Sequence, residues 1–504
     1  MAFARPGVYV QETLNPIQSV VGPASTSVAA FVGANDRGPT TPTLITSWSQ
    51  YVNLFGSWNT TASNNLPIAV YLYFANGGSQ AYVTRVVGSS AAKATRTLVD
   101  RTSGTPVNTL IVNALNEGTW GNSVNITITD STITGYFNLV VYYGGSTDAY
   151  IVERWTDVSM VATDGRYVVS VINGNSNYIA VADALDSATG VTDNPAVQAN
   201  TSLASGANGS TITSTNIINS LSGYDTIRQS LVLNIPGVTD ATTINGAISY
   251  ATGTTRLNDV FVVVDGINDT AANQITLAAS YTASSYAAVY YPQITISDPS
   301  APVGAPASAT KTVGAGGAVV GIYSATDASR GVFKAPAGLQ SRIAGAVSVT
   351  PLSNADLDSL NTAAAPVNAI RYISGSGIVV MGSRTLKAGY VDRYVPVRRS
   401  LIYLEKSLSD LTRFAIFEPN DERLWRQITA TVSSFLTSYW SQGGLRGGTP
   451  QVAYFVKCDA GNNPQYKIDN GEVNIEVGVA LQRPAEFVVI KIGQYDGGTT
   501  VTVA

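Results

Sequence analysis

The sequence predicts an α/β core of mixed sheets with helices, carrying an inserted β-rich domain and extended N- and C-terminal arms. Three observations lead there. Short, continuously apolar runs such as SVAAFVG (27–33) and VFVVVDG (260–266) alternate with helix-like stretches, the pattern of strands buried on both faces. Between them, residues 89–222 become rich in Ser, Thr, Asn and Gly and hold 10 acidic against 5 basic residues. Strand-like segments lie at both chain ends, the first with too few apolar residues to bury itself and the second apolar on both faces.

Residues 1–21 read as a linking arm. Val8 and Val10 face one way and Tyr9 the other, as a strand requires, among Pro6, Gly7 and Pro16. The core spans 22–88 plus 223–380. Its first strand is followed by a helix through 47–55, and LPIAVYLYFANGG (66–78) suits a second helix with a glycine stop. AYVTRVV (81–87) closes this unit as a strand. In 89–222, VNITIT and FNLVVYY alternate as antiparallel strands, and 200–214 is a polar linker. Helix and strand alternation then resumes with SLVLNIPGV, the helical AISYATGTTRLND, and the strand at 260–266.

Residues 381–486 form a C-terminal α/β domain, and 487–504 a second linking arm. A long helix starts at an Asn420 N-cap, where Asp421 and Glu422 complement the helix dipole, and stops at Gly443-Gly444. Leu424, Ile428, Val432, Phe435 and Tyr439 make its apolar stripe. Asp469-Asn470-Gly471 signals a hairpin turn, after which Val473, Ile475, Val477 and Val479 alternate on one face. In EFVVIKIG (486–493), Phe487, Val489 and Lys491 alternate with Val488, Ile490 and Ile492, so both faces are largely apolar. Left at an open edge, such a strand is an aggregation hazard. It either pairs within its own subunit or, with Val8, Tyr9 and Val10, joins the Val473, Ile475 and Val477 strand of a neighbour by β-augmentation.

The chemistry is mostly negative. Among 504 residues there is no histidine, one cysteine (Cys458) and only 12% charged side chains, with a net charge of −4. That excludes Ser-His-Asp and Cys-His nucleophilic machinery, His-ligated metals, Cys clusters and an intrachain disulfide framework. No run of 18 apolar residues and no secretory leader pattern appears, so neither membrane insertion nor export by a signal is expected. GAPASATKT (304–312) lacks the second glycine of a phosphate loop, and GAGGAVVG (314–321) has Val319 where a dinucleotide fingerprint needs glycine, so a glycine-rich turn is expected there. Asp265 with Asp269 could mimic a carboxylate pair, but Asp265-Gly266 reads as a turn. DAGNNPQYKIDNGE (459–472) looks calcium-like, with Pro464 in place of the glycine an EF-hand loop requires. Scattered tyrosines, 26 in all, suit core and subunit contacts better than ligand stacking. No enzymatic activity and no cofactor are expected.

Ordered segments resemble the contractile tail sheath proteins of bacteriophages: PGVYVQE (6–12), STSVAAFVGANDRGP (25–39), NGGSQAYVTRV (76–86), ATDASRGVFKAPAG (325–338), SGIVVMGSRTL (376–386), VRRSLIYLEKSL (397–408), FEPNDERLWRQI (417–428), FLTSYWSQGGLRG (435–447) and RPAEFVVIKI (483–492). Residues 89–222 match nothing in that family, whose insertions project outward and vary. The resemblance implies a structural subunit that polymerises with itself as hexameric rings in a helical lattice around the tail tube protein. It implies contraction that drives the tube through the bacterial envelope for genome delivery, and baseplate and tail terminator proteins as further partners. No direct nucleic-acid contact is implied. Its place would be the virion tail, assembled in the host bacterial cytoplasm. The near alternative is the sheath of a phage-derived injection device, the distant one a glycan-binding or glycan-active β-rich protein.

Residues 381–504 carry 14 of the 29 basic residues. The resemblance makes Arg384, Lys387, Arg393, Arg398, Arg399 and Lys406 candidates to face an acidic tube. A solvated helix face with ordinary ion pairs is the competing reading.

Overall fold

A computed structural model describes residues 25–486 apart from 60–61, 185–192, 257, 302–303, 307–308 and 390–392. The described residues fall into two compact units, one of 26–402 with 481–486 and one of 403–480 with Ser25. The division lies inside a helix rather than at the charge break at 381. Val8, Tyr9, Val10, Phe487, Val488, Val489 and Ile490, and with them both arms, lie outside the described residues.

The larger unit begins with β1 (Val28–Ala34), β2 (Thr43–Ile45), α1 (Trp48–Phe55), α2 (Asn65–Ala75) and β3 (Ala81–Val86). After residue 88 come β4 (Thr95–Val99), β5 (Asn108–Ala114), β6 (Val124–Asp130), β7 (Phe137–Tyr143), β8 (Ile151–Val158), α3 (Val168–Ile172), β9 (Ile179–Asp183) and β10 (Gln198–Ser202). The chain then returns through α4 (Ser214–Ser220), β11 (Leu231–Asn234), α5 (Ala241–Ala251), β12 (Val260–Asp265), α6 (Ala271–Ala279) and β13 (Ala287–Tyr291). It continues with β14 (Ile294–Ser297), β15 (Thr310–Val313), α7 (Gly316–Arg330), β16 (Ala346–Val349), α8 (Asn354–Thr362), β17 (Val367–Ile373) and β18 (Gly377–Val380).

One eight-stranded sheet organises this unit, in the order β18-β17-β13-β12-β11-β1-β3-β2. Its six inner strands are parallel, and only β2 and β18 at the edges run antiparallel. The period-two alternation of β1 decides what each face buries: Ala29 and Phe31 join one apolar cluster with α2 and α7, while Val28, Ala30 and Val32 join another with α4, α5 and α6. Both faces are covered, which is why these strands read as unbroken apolar runs.

GAGGAVVG is not a turn but the entry of α7, whose first helical residue is Gly316. A Cβ on Gly317 would lie 2.3 Å from the Ala69 carbonyl oxygen, and one on Gly321 2.6 Å from that of Tyr73. The glycines are therefore what lets α7 lie against α2. Ser47 caps α1 by accepting from the Gln50 N–H, and Gly77 adopts φ +94° just after α2.

Residues 94–203 carry their own cluster of buried side chains, between the β10-β6-β7-β8 sheet and the β4-β5-β9 sheet. β6 and β7 pair antiparallel along their whole length. Two buried arginines tie this part to the carboxyl ends of β1 and β3. Arg85 donates to the Asn35, Asp36 and Glu117 carbonyls at 2.7, 2.8 and 2.7 Å. Burial lowers its pKa to about 10, against the pull of Glu117 and Asp36, so it stays charged at neutral pH. The Arg37 guanidinium lies 4.4 Å from the Tyr178 ring centroid, with Trp120 and Tyr143 alongside.

Spanning the division, α9 covers Val395–Leu411, and α10 (Glu422–Ser441), α11 (Pro450–Ala453), β19 (Tyr454–Lys457), α12 (Gln465–Asp469) and β20 (Glu476–Val479) complete the smaller unit.

Candidate assembly site

The smaller unit is built on α10. Its N-cap is Asp421, not Asn420: the Asp421 carboxylate accepts from the Arg423 and Leu424 N–H groups, both at 2.9 Å. Asn420 instead accepts from the Trp425 indole and donates to the Glu472 carbonyl. The buried stripe is Leu424, Trp425, Ile428, Val432, Leu436 and Tyr439. Phe435 is only half-buried and packs on Tyr403, so the stripe turns through Leu436 rather than Phe435. Gly443 takes φ +89° and the Gly444 N–H returns to the Tyr439 carbonyl, ending the helix where the glycine pair predicts.

Against this helix sits a sheet of two strands, β19 and β20, which among the described residues pair only with each other. The hairpin expected at Asp469-Asn470-Gly471 is absent. Those residues finish α12 and the turn after it, and the extended pairing is confined to Glu476–Val479. Val477 lies in that strand opposite Val456, whereas Val473 and Ile475 precede it. The reason is Asn463, buried and bridging the connection. Its side chain accepts from the Asn474 N–H at 2.6 Å and donates to the Asn474 carbonyl at 3.1 Å, so residue 474 bonds to a side chain instead of a strand. The same contact accounts for the calcium-like segment. Among the described residues no cluster of three or more His, Cys, Asp or Glu could hold a metal ion.

The two faces of this sheet differ. Tyr454, Val456, Val477 and Val479 share one, where the Tyr454 hydroxyl meets the Ser433 carbonyl of α10 at 3.1 Å. Phe455 and Lys457, opposite Gly478 and Glu476, share the other. The Phe455 ring lies across Gly478, where a Cβ would come within 2.0 Å, and Phe455 remains half exposed. A two-stranded sheet is marginal in water by itself. Among the described residues no further strand pairs with the outer edge of either, the geometry that accepts an added strand. Ile416, Phe417, Val452 and Tyr466 are further exposed large apolar groups of the same unit, with Phe417 fully exposed at φ +67°.

The basic residues expected on one surface are divided. Arg399 is buried in a bidentate ion pair with Asp327, at 2.5 and 2.9 Å. Arg384, also buried, grips the Glu486 carboxylate at 2.6 and 2.7 Å. Arg398 lies over the Tyr286 ring at 4.5 Å. Lys387 is exposed, and Arg393 and Lys406 are half-buried. Burial of Arg384 and Arg399 could not be read from charge alone, because their acids stand 102 and 72 residues away.

Where an open parallel sheet would bind a ligand, at the carboxyl strand ends, Asn234 of β11 and Asp265 of β12 are buried. Asp265 ends β12 buried, accepting from Gly316 at 2.6 Å and Gly237 at 2.8 Å. Burial pushes its pKa up, and those two N–H groups oppose the rise. It holds the first turn of α7 to the sheet. Asp269 accepts from the Thr270 N–H and the Asn273 side chain just ahead of α6, so the two carboxylates have separate structural partners.

Residues 393–494, which contain α10 and the β19/β20 sheet, match the family model of the phage tail sheath C-terminal domain. Residues 403–480 of the smaller unit lie within that match. The tail sheath protein of Vibrio phage KVP40 is 29% identical over 126 residues, 25% of this chain and 18% of that protein's length. The fold extends much further than that stretch. The PVC sheath complex of an extracellular contractile injection system, in its contracted state, superposes with a TM-score of 0.58 at 24% identity, over 98% of each chain. A sheath tail protein from Listeria innocua gives 0.62 at 14% identity, over 92% of this chain and 96% of that one. The chain therefore has the sheath-protein fold almost from end to end. Among the described residues no helix is long and apolar enough to cross a membrane.

Proposed function

We propose that this chain is a structural, non-enzymatic subunit of a contractile phage tail sheath. It stacks as six-fold rings around the tail tube, contracts to drive the tube through the bacterial envelope, and meets baseplate and tail terminator proteins at its ends. It belongs to the virion and is assembled in the host cytoplasm. Residues 89–222 form an inserted outer domain on the α/β core, and 1–21 and 487–504 are linking arms.

One observation carries this reading. The segment that matches the phage sheath family holds a sheet that has only two strands among the described residues, and the same segment exposes Phe455, Val452 and Phe417. Arms from neighbouring subunits, with Val8, Tyr9 and Val10 from one end and Phe487, Val488, Val489 and Ile490 from the other, supply the missing strands. Main-chain bonds tolerate rotation of the bodies they join, so subunits rearrange without dissociating. Removing residues 1–21 tests it. A folded, soluble monomer that forms no tubes by electron microscopy is the expected result, and tubes of normal length would rule the N-terminal arm out as connector. Turnover of ATP or a glycan, lost on one carboxylate substitution, would overturn the non-enzymatic reading.

Contacts to the tube are weak and screened, since the sheath must release it. With Arg384 and Arg399 held in buried pairs, Lys387 and Arg393 are the residues to test. Charge reversal at both weakens attachment at low salt, and an unchanged salt dependence would clear them of the role.

A further inference from the structure

We infer that two arginine clamps root the two arms on the same α/β unit, with Arg399 and Arg384 acting as positioning residues for the load the arms carry. The inference rests on the arm-exchange reading above.

Both clamps stand at the junctions with the arms. At the first, Arg399 on α9 pairs with Asp327 on α7 through two bonds and donates from the same guanidinium to the Thr26 carbonyl at 2.8 Å. The next carbonyl, Ser27, accepts from the Ser324 hydroxyl at 2.9 Å and the Tyr73 hydroxyl at 3.2 Å. The Tyr323 ring packs over the guanidinium, its centroid at 4.6 Å. At the second, Glu486 accepts from Nε and Nη2 of Arg384 and from the Tyr394 hydroxyl at 3.1 Å. Arg384 is itself fixed to the sheet. It donates to the Asn361 carbonyl at 2.7 Å, and its main chain exchanges two bonds with the Asn368 side chain on β17.

Stability alone does not call for this arrangement. A buried ion pair is often replaceable by apolar side chains at no net loss, because desolvation offsets the attraction. What a bidentate guanidinium–carboxylate pair supplies is a fixed geometry. Here that geometry fixes main-chain atoms at residues 26–27 and the side chain of residue 486. Tension on either arm is thereby delivered to α7, α9 and the sheet instead of peeling the chain from its end.

Glu486→Gln in the full chain is the primary test, since Glu486 is partly exposed and its loss leaves the core intact. The soluble monomer should melt close to wild type, show faster amide exchange at 481–486, and need about tenfold more protein to form tubes, the loss of one charge-assisted pair. The exchanged pair, Arg384→Glu with Glu486→Arg, should recover part of that assembly. For the other clamp, Asp327→Leu with Arg399→Met keeps the interior uncharged should Asp327→Asn alone fail to fold, and the same rise in assembly concentration is expected. Wild-type exchange and wild-type tube formation in both clamp variants would overturn the inference. Truncation of 1–21 separates the two claims. Tubes from the truncation sink the arm reading, whereas no tubes from it together with normal assembly of the clamp variants sinks only the clamps.

Discussion

The parallel sheet and the small β19/β20 sheet answer the same problem, a row of backbone groups that must be paired, in opposite ways. The large sheet has six inner strands, an antiparallel strand on each edge and helices over both faces. The small one has, among the described residues, two strands and no further pairing at either outer edge, with half-exposed Phe455 on one face. A region that completes its own hydrogen bonding can carry load, and a region that leaves it incomplete can receive a partner. Under the proposed function, the larger sheet is the body of the subunit and the smaller one receives a neighbour's strand.

That contrast can be broken from either side. The largest expected effect is on the body. Gly317→Val places side-chain atoms where a single Cβ would already be 2.3 Å from the Ala69 carbonyl, a backbone contact that cannot swing away. Overpacking of this kind costs about 3 kcal/mol or more, and thermal melting should show loss of the 26–402 transition or insoluble protein. Next is Leu436→Ala in α10, a fully buried side chain, expected to cost about 2–5 kcal/mol. Hydrogen exchange should localise that loss to 403–480 and leave amides of β1, β11 and β12 protected.

A smaller effect follows from Asp265. Its folded pKa is raised above the unfolded value, so the folded state binds more protons than the unfolded one, and stability falls as pH rises through the folded pKa. Chemical denaturation of wild type against Asp265→Asn, from acid pH to neutrality, should show the wild type losing ground as pH increases. A difference that does not change with pH would mean the carboxyl titrates normally. The smallest effect on stability, within about 0.5 kcal/mol, is expected for Phe455→Ser on the open face of the small sheet. Its effect on assembly should be large, and a variant that polymerises normally would remove Phe455 from the acceptor surface.

How much the sequence shows depends on whether the deciding partner is local. β1 and β12 are legible because burial on both faces makes them continuous apolar runs, and the end of α10 is legible because Gly443-Gly444 supplies the left-handed residue a helix stop uses. The start of α10 is displaced by one residue, since both Asn420 and Asp421 can cap and only the carboxylate faces the first N–H groups. The hairpin at 469–471 fails because Asn463, from outside the pattern, takes the bonds of residue 474. GAGGAVVG is misread as a turn because its glycines answer to α2, some 250 residues earlier in sequence, which no local window contains. The basic cluster divides for the same reason. Arg384 and Arg399 find acids at 486 and 327, and sequence distance hides both pairs.

The most direct test of the account is a cryo-EM map of the assembled polymer, read at the β19/β20 sheet. Extra strands are expected there, contributed by residues 1–21 and 487–504 of neighbouring subunits and bonded to the outer edges of Tyr454–Lys457 and Glu476–Val479. A lattice in which those edges stay two-stranded, or in which both arms fold back on their own subunit, would contradict it.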